Sequence, residues 1–443
     1  MRSFSELPVS KAVAAVCLVS FLFRGGSAAA AAPPPLQREV FVRAVLDRSP
    51  VPASARAQAR VAQAEARRVA SLPEPELMLE VSPLPLQRPA ALGEAGMVEV
   101  GLRQVIPAPG SLGRREAALQ HLASESVELG QASLREVARE AAHVFVDYAT
   151  ATELSLLHGK HHELVGRLQE SFTRSFAPPA SALDATRVGI ESGRVEAEIA
   201  TAQARVEAAR ARMNALLGRP AEHELGAPLQ REPETVVTTS DEVVRLARAR
   251  RPELRAGAFR VQATQATVAA AQNESRVPSF AVAALYYPAV GRQREHGYGV
   301  AASMSLPWLW GARRAETQVS HAQHAAAAAD VQSRALAVST EALTALGETG
   351  ARAARLRTLL VRVRPLLARQ VEIAESRLAT GSQTLPAVVE AWRARLEVDA
   401  EIAEARAELE HALIDLDWAS GGAVPRVRLL TASAPQGGEK EVP

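Results

Sequence analysis

The sequence predicts a mainly α-helical protein built from one unit used twice, each copy joining a β-hairpin to a long helical hairpin. Three observations predict it. No proline occurs from Gly113 to Phe176, so about 64 residues can run as one rod ~95 Å long, more than a globular core requires. Val195, Ile199, Ala202, Val206, Ala209, Met213 and Leu216 form a strict heptad seam, which packs one helix along another in a left-handed supercoil. The seam recurs 203 residues on, as Val398, Ile402, Ala405, Leu409, Ala412, Leu416 and Ala419, and the terminating Gly218 and Gly421 keep the same offset. Self-similarity at a fixed long period marks a duplicated structural unit.

The elements follow in order. Residues 1–32 read as a secretory signal peptide: Arg2 and Lys11 precede an apolar run from Ala12 to Phe23, and small residues from Ser27 to Ala32 offer cleavage sites. Cys17, the only cysteine, lies inside that run, so the exported chain has no thiol chemistry. The first unit spans 33–235. Its opening helix, from Arg38 to Ser71, breaks near Pro50 and Pro52. After Pro73 the period changes to two: Leu77, Leu79 and Val81 alternate with Met78, Glu80 and Ser82, and Val98, Val100 and Leu102 alternate with Glu99, Gly101 and Arg103. This β-hairpin, about 76–107, leads into a helical hairpin, about 111–218.

The second unit, 236–421, repeats the plan: a helix from Ser240 to Ser275 broken at Arg251-Pro252, a β-hairpin about 278–307 and a helical hairpin about 311–420, interrupted by Pro365. Phe280, Val282, Ala284 and Tyr286 form one apolar strand face, and Tyr298, Val300, Ala302, Met304 and Leu306 the next, opposite small Gly299, Ala301, Ser303 and Ser305. Tyr286, Tyr287, Tyr298, Trp308 and Trp310 gather at strand ends, as in an interfacial aromatic belt at the membrane surface. Strands of this length and alternation suit a membrane β-barrel, but four cannot close one, so they imply an oligomer; three copies would supply twelve. Residues 422–443 read as a disordered tail rich in Pro, Gly and charge.

With these residues assembled, the chain resembles the TolC family of outer-membrane efflux proteins over about Leu36 to Gly421. The resemblance is carried by Leu72-Pro73-Glu74-Pro75-Glu76-Leu77, Gly101-Leu102-Arg103-Gln104-Val105-Ile106-Pro107, the Gly-Arg-Arg helix starts, Leu216-Leu217-Gly218-Arg219-Pro220, and Arg377-Leu378-Ala379-Thr380-Gly381-Ser382-Gln383-Thr384. The Leu-Pro-Glu-Pro-Glu-Leu phrase and short strand loops are closer to the branch paired with metal-efflux pumps. The resemblance implies a homotrimer with a twelve-stranded β-barrel in outer-membrane lipid, above a coiled-coil α-barrel that tunnels through the periplasm. It implies partners too: a periplasmic adaptor, or membrane fusion protein, and an inner-membrane pump. The hairpin tips, with Pro178 and Pro179 in the first and Thr380, Gly381 and Ser382 in the second, are then adaptor-docking sites, and Glu390 and Asp184 just past them are pore or gate acids. The family's paired-acid spacing falls here on Ala387 and Glu390, so only a single carboxylate ring remains.

Other functions find less support. A net charge of +2, with basic and acidic residues interleaved, gives no reason to expect nucleic acid. No nucleophile elbow, Walker loop, dinucleotide fingerprint or zinc-protease helix occurs, so neither an enzyme nor a cofactor is expected. His158, His161 and His162, and His321 and His324, have helical spacing, but a metal site wants three or four convergent ligands, so they read as solvated polar faces. Glu390 and Asp184 also suit a helix N-terminus, where the dipole favours acids, and Glu99 and Arg103 read as solvated lumen charges. The alternative is a soluble periplasmic coiled-coil adaptor or scaffold, which would carry one helical hairpin rather than two equivalent ones.

Overall fold

The computed structural model describes residues 34–82, 97–175, 181–290, 294–380, 382 and 385–430. The signal-peptide reading, Pro178, Pro179 and Gly381 lie outside the described residues. Prolines separate the first helices: α1 (Arg38–Arg48) ends just before Pro50, and Pro52 sits in the first turn of α2 (Val51–Ala70), where a missing N–H costs no hydrogen bond. Strands β1 (Glu76–Ser82) and β2 (Met97–Ile106) follow, then the rod α3 (Ser111–Ser175) and its return α4 (Ser181–Leu216). The 65 residues of α3 make a rod about 97 Å long.

A short strand β3 (Glu234–Val236) leads to the second unit: α5 (Ser240–Arg250), α6 (Pro252–Arg276), β4 (Phe280–Tyr287), β5 (Gly297–Met304), α7 (Ala312–Thr358), α8 (Arg364–Ala379) and α9 (Leu385–Ala419). Pro252 again opens its helix. Between α7 and α8 the chain makes one π turn, Leu359–Val363, with the Arg364 N–H donating to Leu359 O. Pro365 has no N–H to give, and a wider turn just before it keeps the helix going where an α-turn would clash.

The seams are core. Val195, Ala202, Ala209 and Met213 are buried on α4, as are Ile402, Ala405, Leu409, Ala412, Leu416 and Ala419 on α9. The two units pack alike: Phe41 and Val45 of α1 meet Phe145 of α3 and Met213 of α4, while Val243 and Ala247 of α5 meet Val338 of α7 and Leu416 of α9. Rod α3 also packs on α6 and α9, binding one unit to the other. Gly218 and Gly421 close α4 and α9 with φ +63° and +83°, a conformation that glycine adopts without the Cβ penalty. A Cβ on Gly421 would lie 2.5 Å from that of Arg250.

The four long strands form one antiparallel sheet in the order β1-β2-β4-β5, with β1 and β5 at its two edges. The tail departs from expectation. Residues 426–428, placed by composition in a disordered tail, form strand β6 (Arg426–Arg428) paired with β3. Leu429 seals that pairing, 2% exposed in the core of α7 and α9, and Arg426 bonds Asp417. One apolar anchor and one ion pair outweigh the local Pro/Gly bias.

Candidate channel wall and gate

Registration across the sheet sorts its side chains by chemistry. Leu79, Val100, Tyr286 and Tyr298 align in one cross-strand row, and Leu77, Leu102, Ala284 and Val300 in the next. This face is open: Leu77 is 78% and Tyr298 93% exposed. The opposite face carries Gly101, Ala281, Ala283, Gly299, Ala301 and Ser303, and Leu285 folds over Gly101, so close that a Cβ there would sit 2.8 Å from it. A row of large exposed apolar side chains backed by a small-residue face is the inverse of a water-soluble sheet.

The aromatics divide between the sheet's two ends. Tyr286 and Tyr298 pair at the loop end, where the Tyr286 hydroxyl lies 2.6 Å from His296 Nδ1. Trp308 and Trp310, the latter 87% exposed, follow β5 at the helical end. Tyr287 leaves this set: strand alternation turns it to the small-residue face opposite Gly297, beside Glu99. Glu99 is 9% exposed there rather than a solvated charge, because Tyr287 covers it. Arg103 pairs with Glu76 at 3.4 Å.

Where sheet meets rods, Arg115 of α3 and Arg313 of α7 both bind Glu274 of α6, at 2.6 and 3.1 Å. The arginine pairs near the start of the rods, Arg114-Arg115 and Arg313-Arg314, therefore clamp both units onto one shielded carboxylate. Sequence reading missed this clamp, since nothing local to Glu274 marks it.

At the far end, Val371 and Ala374 of α8 pack on Val388 and Ala391 of α9, and Trp392 Nε1 donates to Glu375 Oε1 at 2.8 Å. The Thr380 hydroxyl donates to Arg377 O and meets the Ser382 hydroxyl at 2.9 Å, while Ser382 N–H donates to Arg377 O. These residues cap α8. Glu390 lies beside the packed seam, exposed, and as the sixth residue of α9 it stands past the first turn, where the helix dipole fades. Arg393 follows one turn on; its guanidinium lies among Glu191 first, then Glu397 and Glu390, which raise its proton affinity. Asp184 is the fourth residue of α4.

The histidines are not one solvated face: His158 and His161 turn toward α4 and His324 toward α6, while His321 is exposed. His158 Nδ1 is 3.2 Å from Glu198 of α4. His161 is buried, 3.9 Å from Glu191, and burial pushes its imidazole pKa down. His321 and His324 bond Gln272 and Thr264 of α6. Among the described residues no group of three His, Cys, Asp or Glu side chains is placed to hold a metal ion, and no helix is long and apolar enough to cross a membrane.

The family model described as "outer membrane efflux protein" matches residues 243–422. That stretch of the chain is similar to the outer membrane efflux protein domain. It runs from α5 to the end of α9 and holds half of the sheet, Glu390 and the second tip. The fold of the whole matches solved channels. CusC superposes with a TM-score of 0.72 at 15% identity, over 88% of this chain and 93% of that one. The open-state outer membrane channel MtrE of Neisseria gonorrhoeae gives 0.70 at 17%, over 87% and 89%. The outer membrane protein VceC of Vibrio cholerae gives 0.69 at 15%, over 87% and 96%. No curated protein matches the sequence.

Proposed function

We propose that the chain is an outer-membrane channel, the exit duct of a tripartite efflux or type I secretion system, passing substrates from an inner-membrane pump across periplasm and outer membrane. The observation that carries this reading is the open sheet with its large apolar residues facing out, set at one end of helical rods about 97 Å long. In this reading three copies join β1 and β5 edges into a twelve-stranded barrel, because four strands enclose nothing alone. The exposed apolar row meets lipid, with Tyr286 and Tyr298 at one interface and Trp308 and Trp310 at the other. The helical hairpins of three chains form the periplasmic tunnel. Their tips, including Pro178, Pro179, Thr380, Gly381 and Ser382, dock to a periplasmic adaptor.

The chain performs no chemical step in this mechanism. It supplies a conduit, and the energy for transport comes from the pump. Glu390, with Asp184 from the other hairpin, lines the tip constriction, and Arg393 one turn on tempers the acid ring.

The test is single-channel conductance of detergent-extracted protein in a planar bilayer, with the native mass measured first. Trimers opening discrete aqueous pores are expected, and Glu390→Ala should lower their preference for cations. A protein that needs no detergent and conducts nothing would instead be the periplasmic adaptor or scaffold, a reading the outward apolar sheet disfavours.

A further inference from the structure

His143 on α3 and His411 on α9 come from different units, yet their rings lie edge to edge and nearly coplanar, with centroids 4.7 Å apart and planes 13° apart. Their Nδ1 atoms are 2.5 Å apart. Both Nε2 atoms are engaged: that of His143 lies 2.8 Å from Asp415 Oδ1, and that of His411 3.1 Å from Asp147 Oδ1. A carboxylate can only accept, so each Nε2 carries its hydrogen. Two Nδ1 lone pairs would then face each other at a distance that only an intervening cation makes tolerable. Zinc–nitrogen bonds of about 2.0–2.1 Å would hold the nitrogens roughly 3.3 Å apart in a tetrahedral site, and among the described residues no third ligand converges on them. A proton fits.

We propose that His143 and His411 share one proton and form an acid-sensitive latch between α3 and α9, closed by the first proton and opened by a second.

The surroundings support a single charge. From α3 come Glu136, Arg139 and Asp147, from α9 Asp415 and Glu410, and from α4 Arg212, which acts on Asp147. Glu410 is answered by Arg38 of α1 at 3.3 Å, while Arg231 and Arg406 nearby pair with Glu39 and Glu153. Three carboxylates then face two guanidiniums, and one shared proton brings the group to neutrality. A second would stand uncompensated, and it must break the Nδ1 hydrogen bond to find a lone pair. Ala142, Val146 and Ile414 pack beside the pair, so the repulsion bears directly on the contact between the two units. The latch continues outward: Arg139 bonds Asp415 at 2.8 Å and stacks on Trp418, which also carries Arg251 from the α5–α6 break.

The experiment is thermal unfolding of the detergent-extracted full chain from about pH 8 to pH 5, across the range in which imidazoles titrate. In His411→Gln the amide can still donate to Asp147 and accept from His143, but offers no second titrating ring. The wild-type midpoint should fall by about 2–4 °C more than that of the variant over this range. Equal slopes would overturn the latch. So would a midpoint at neutral pH that rises with added zinc or falls with a chelator, since the occupant would then be a metal. If His411→Gln does not fold, nitrogen-15 spectra of histidine-labelled wild-type protein decide. Three ring N–H groups on the pair at neutral pH are expected, and two overturn the proposal.

Discussion

Glu274 holds two arginines from two different rods with a carboxylate whose side chain is only 11% exposed. Removing its charge leaves both guanidiniums facing a shielded neutral amide. Glu274→Gln is therefore expected to lower unfolding free energy by about 1–3 kcal/mol, read as a lower thermal midpoint in detergent. Gly421→Ala should cost more than about 1 kcal/mol, since it combines a left-handed backbone with a collision against Arg250; Gly347→Ala, with open space around it, is the matched control. Acid stability belongs to this scale too. A hydrogen bond from His411 holds the Asp147 carboxyl below its usual range. Burial works against the charge of Asp415, but hydrogen bonds from His143 and Arg139 outweigh it. Groups lowered on folding stabilise above their unfolded values of about 4 and lose that contribution as pH falls through the folded ones. Asp415→Asn should thus be less stable near neutrality, with a shallower decline in stability between about pH 4 and pH 2.

At the scale of elements, periodicity made most of the fold legible. The proline-free stretch became one helix from Ser111 to Ser175, the heptad seams became buried stripes, and the period-two segments became β1, β2, β4 and β5. Elements held by contacts distant in sequence were not legible. β3 and β6 have three residues each and no pattern of their own; they exist because Leu429 finds a core built by α7 and α9. The His143–His411 contact was hidden for the same reason, since its two members lie 268 residues apart with no local pattern joining them. The side of Tyr287, by contrast, was available from strand alternation with Tyr286, and was overridden by grouping the aromatics by composition. Pro365 was seen as a break but proved to be a continuous helix with one widened turn. Pro365→Ala restores an N–H and should let that turn relax to α, changing the distance between spin labels at Ala345 and Glu372; an unchanged distance would mean that Pro365 does not impose the turn. On the sheet, Val300→Arg should block insertion into lipid at a cost of about 2–4 kcal/mol, measured by folding into vesicles, while Ala301→Ser on the other face should be tolerated.

At the scale of the whole molecule, the duplication packs two similar units together, and α3 serves both at once through α6 and α9. Contacts between units are therefore where sequence-distant residues meet, as the Glu274 clamp and the histidine pair do. Cys17 is the only cysteine of the sequence, so with Cys17 replaced by Ser introduced pairs can be read without background. One cysteine on each edge of the same chain, at Glu80 of β1 and Ala301 of β5, which share the small-residue face, should cross-link copies into a trimer on oxidation if those edges meet; monomers alone would sink the closed-barrel reading.

If the proposed barrel forms in the membrane, the two edges of the sheet, β1 and β5, set the order of events in assembly. Each edge is a row of backbone donors and acceptors that lipid cannot satisfy, so a lone chain has no stable place in a bilayer. Insertion and association must then happen together, and the rate of acquiring a membrane-embedded state should rise with more than the first power of chain concentration. Dilution would strand the protein outside the membrane, with its helices formed and its strands waiting for partners.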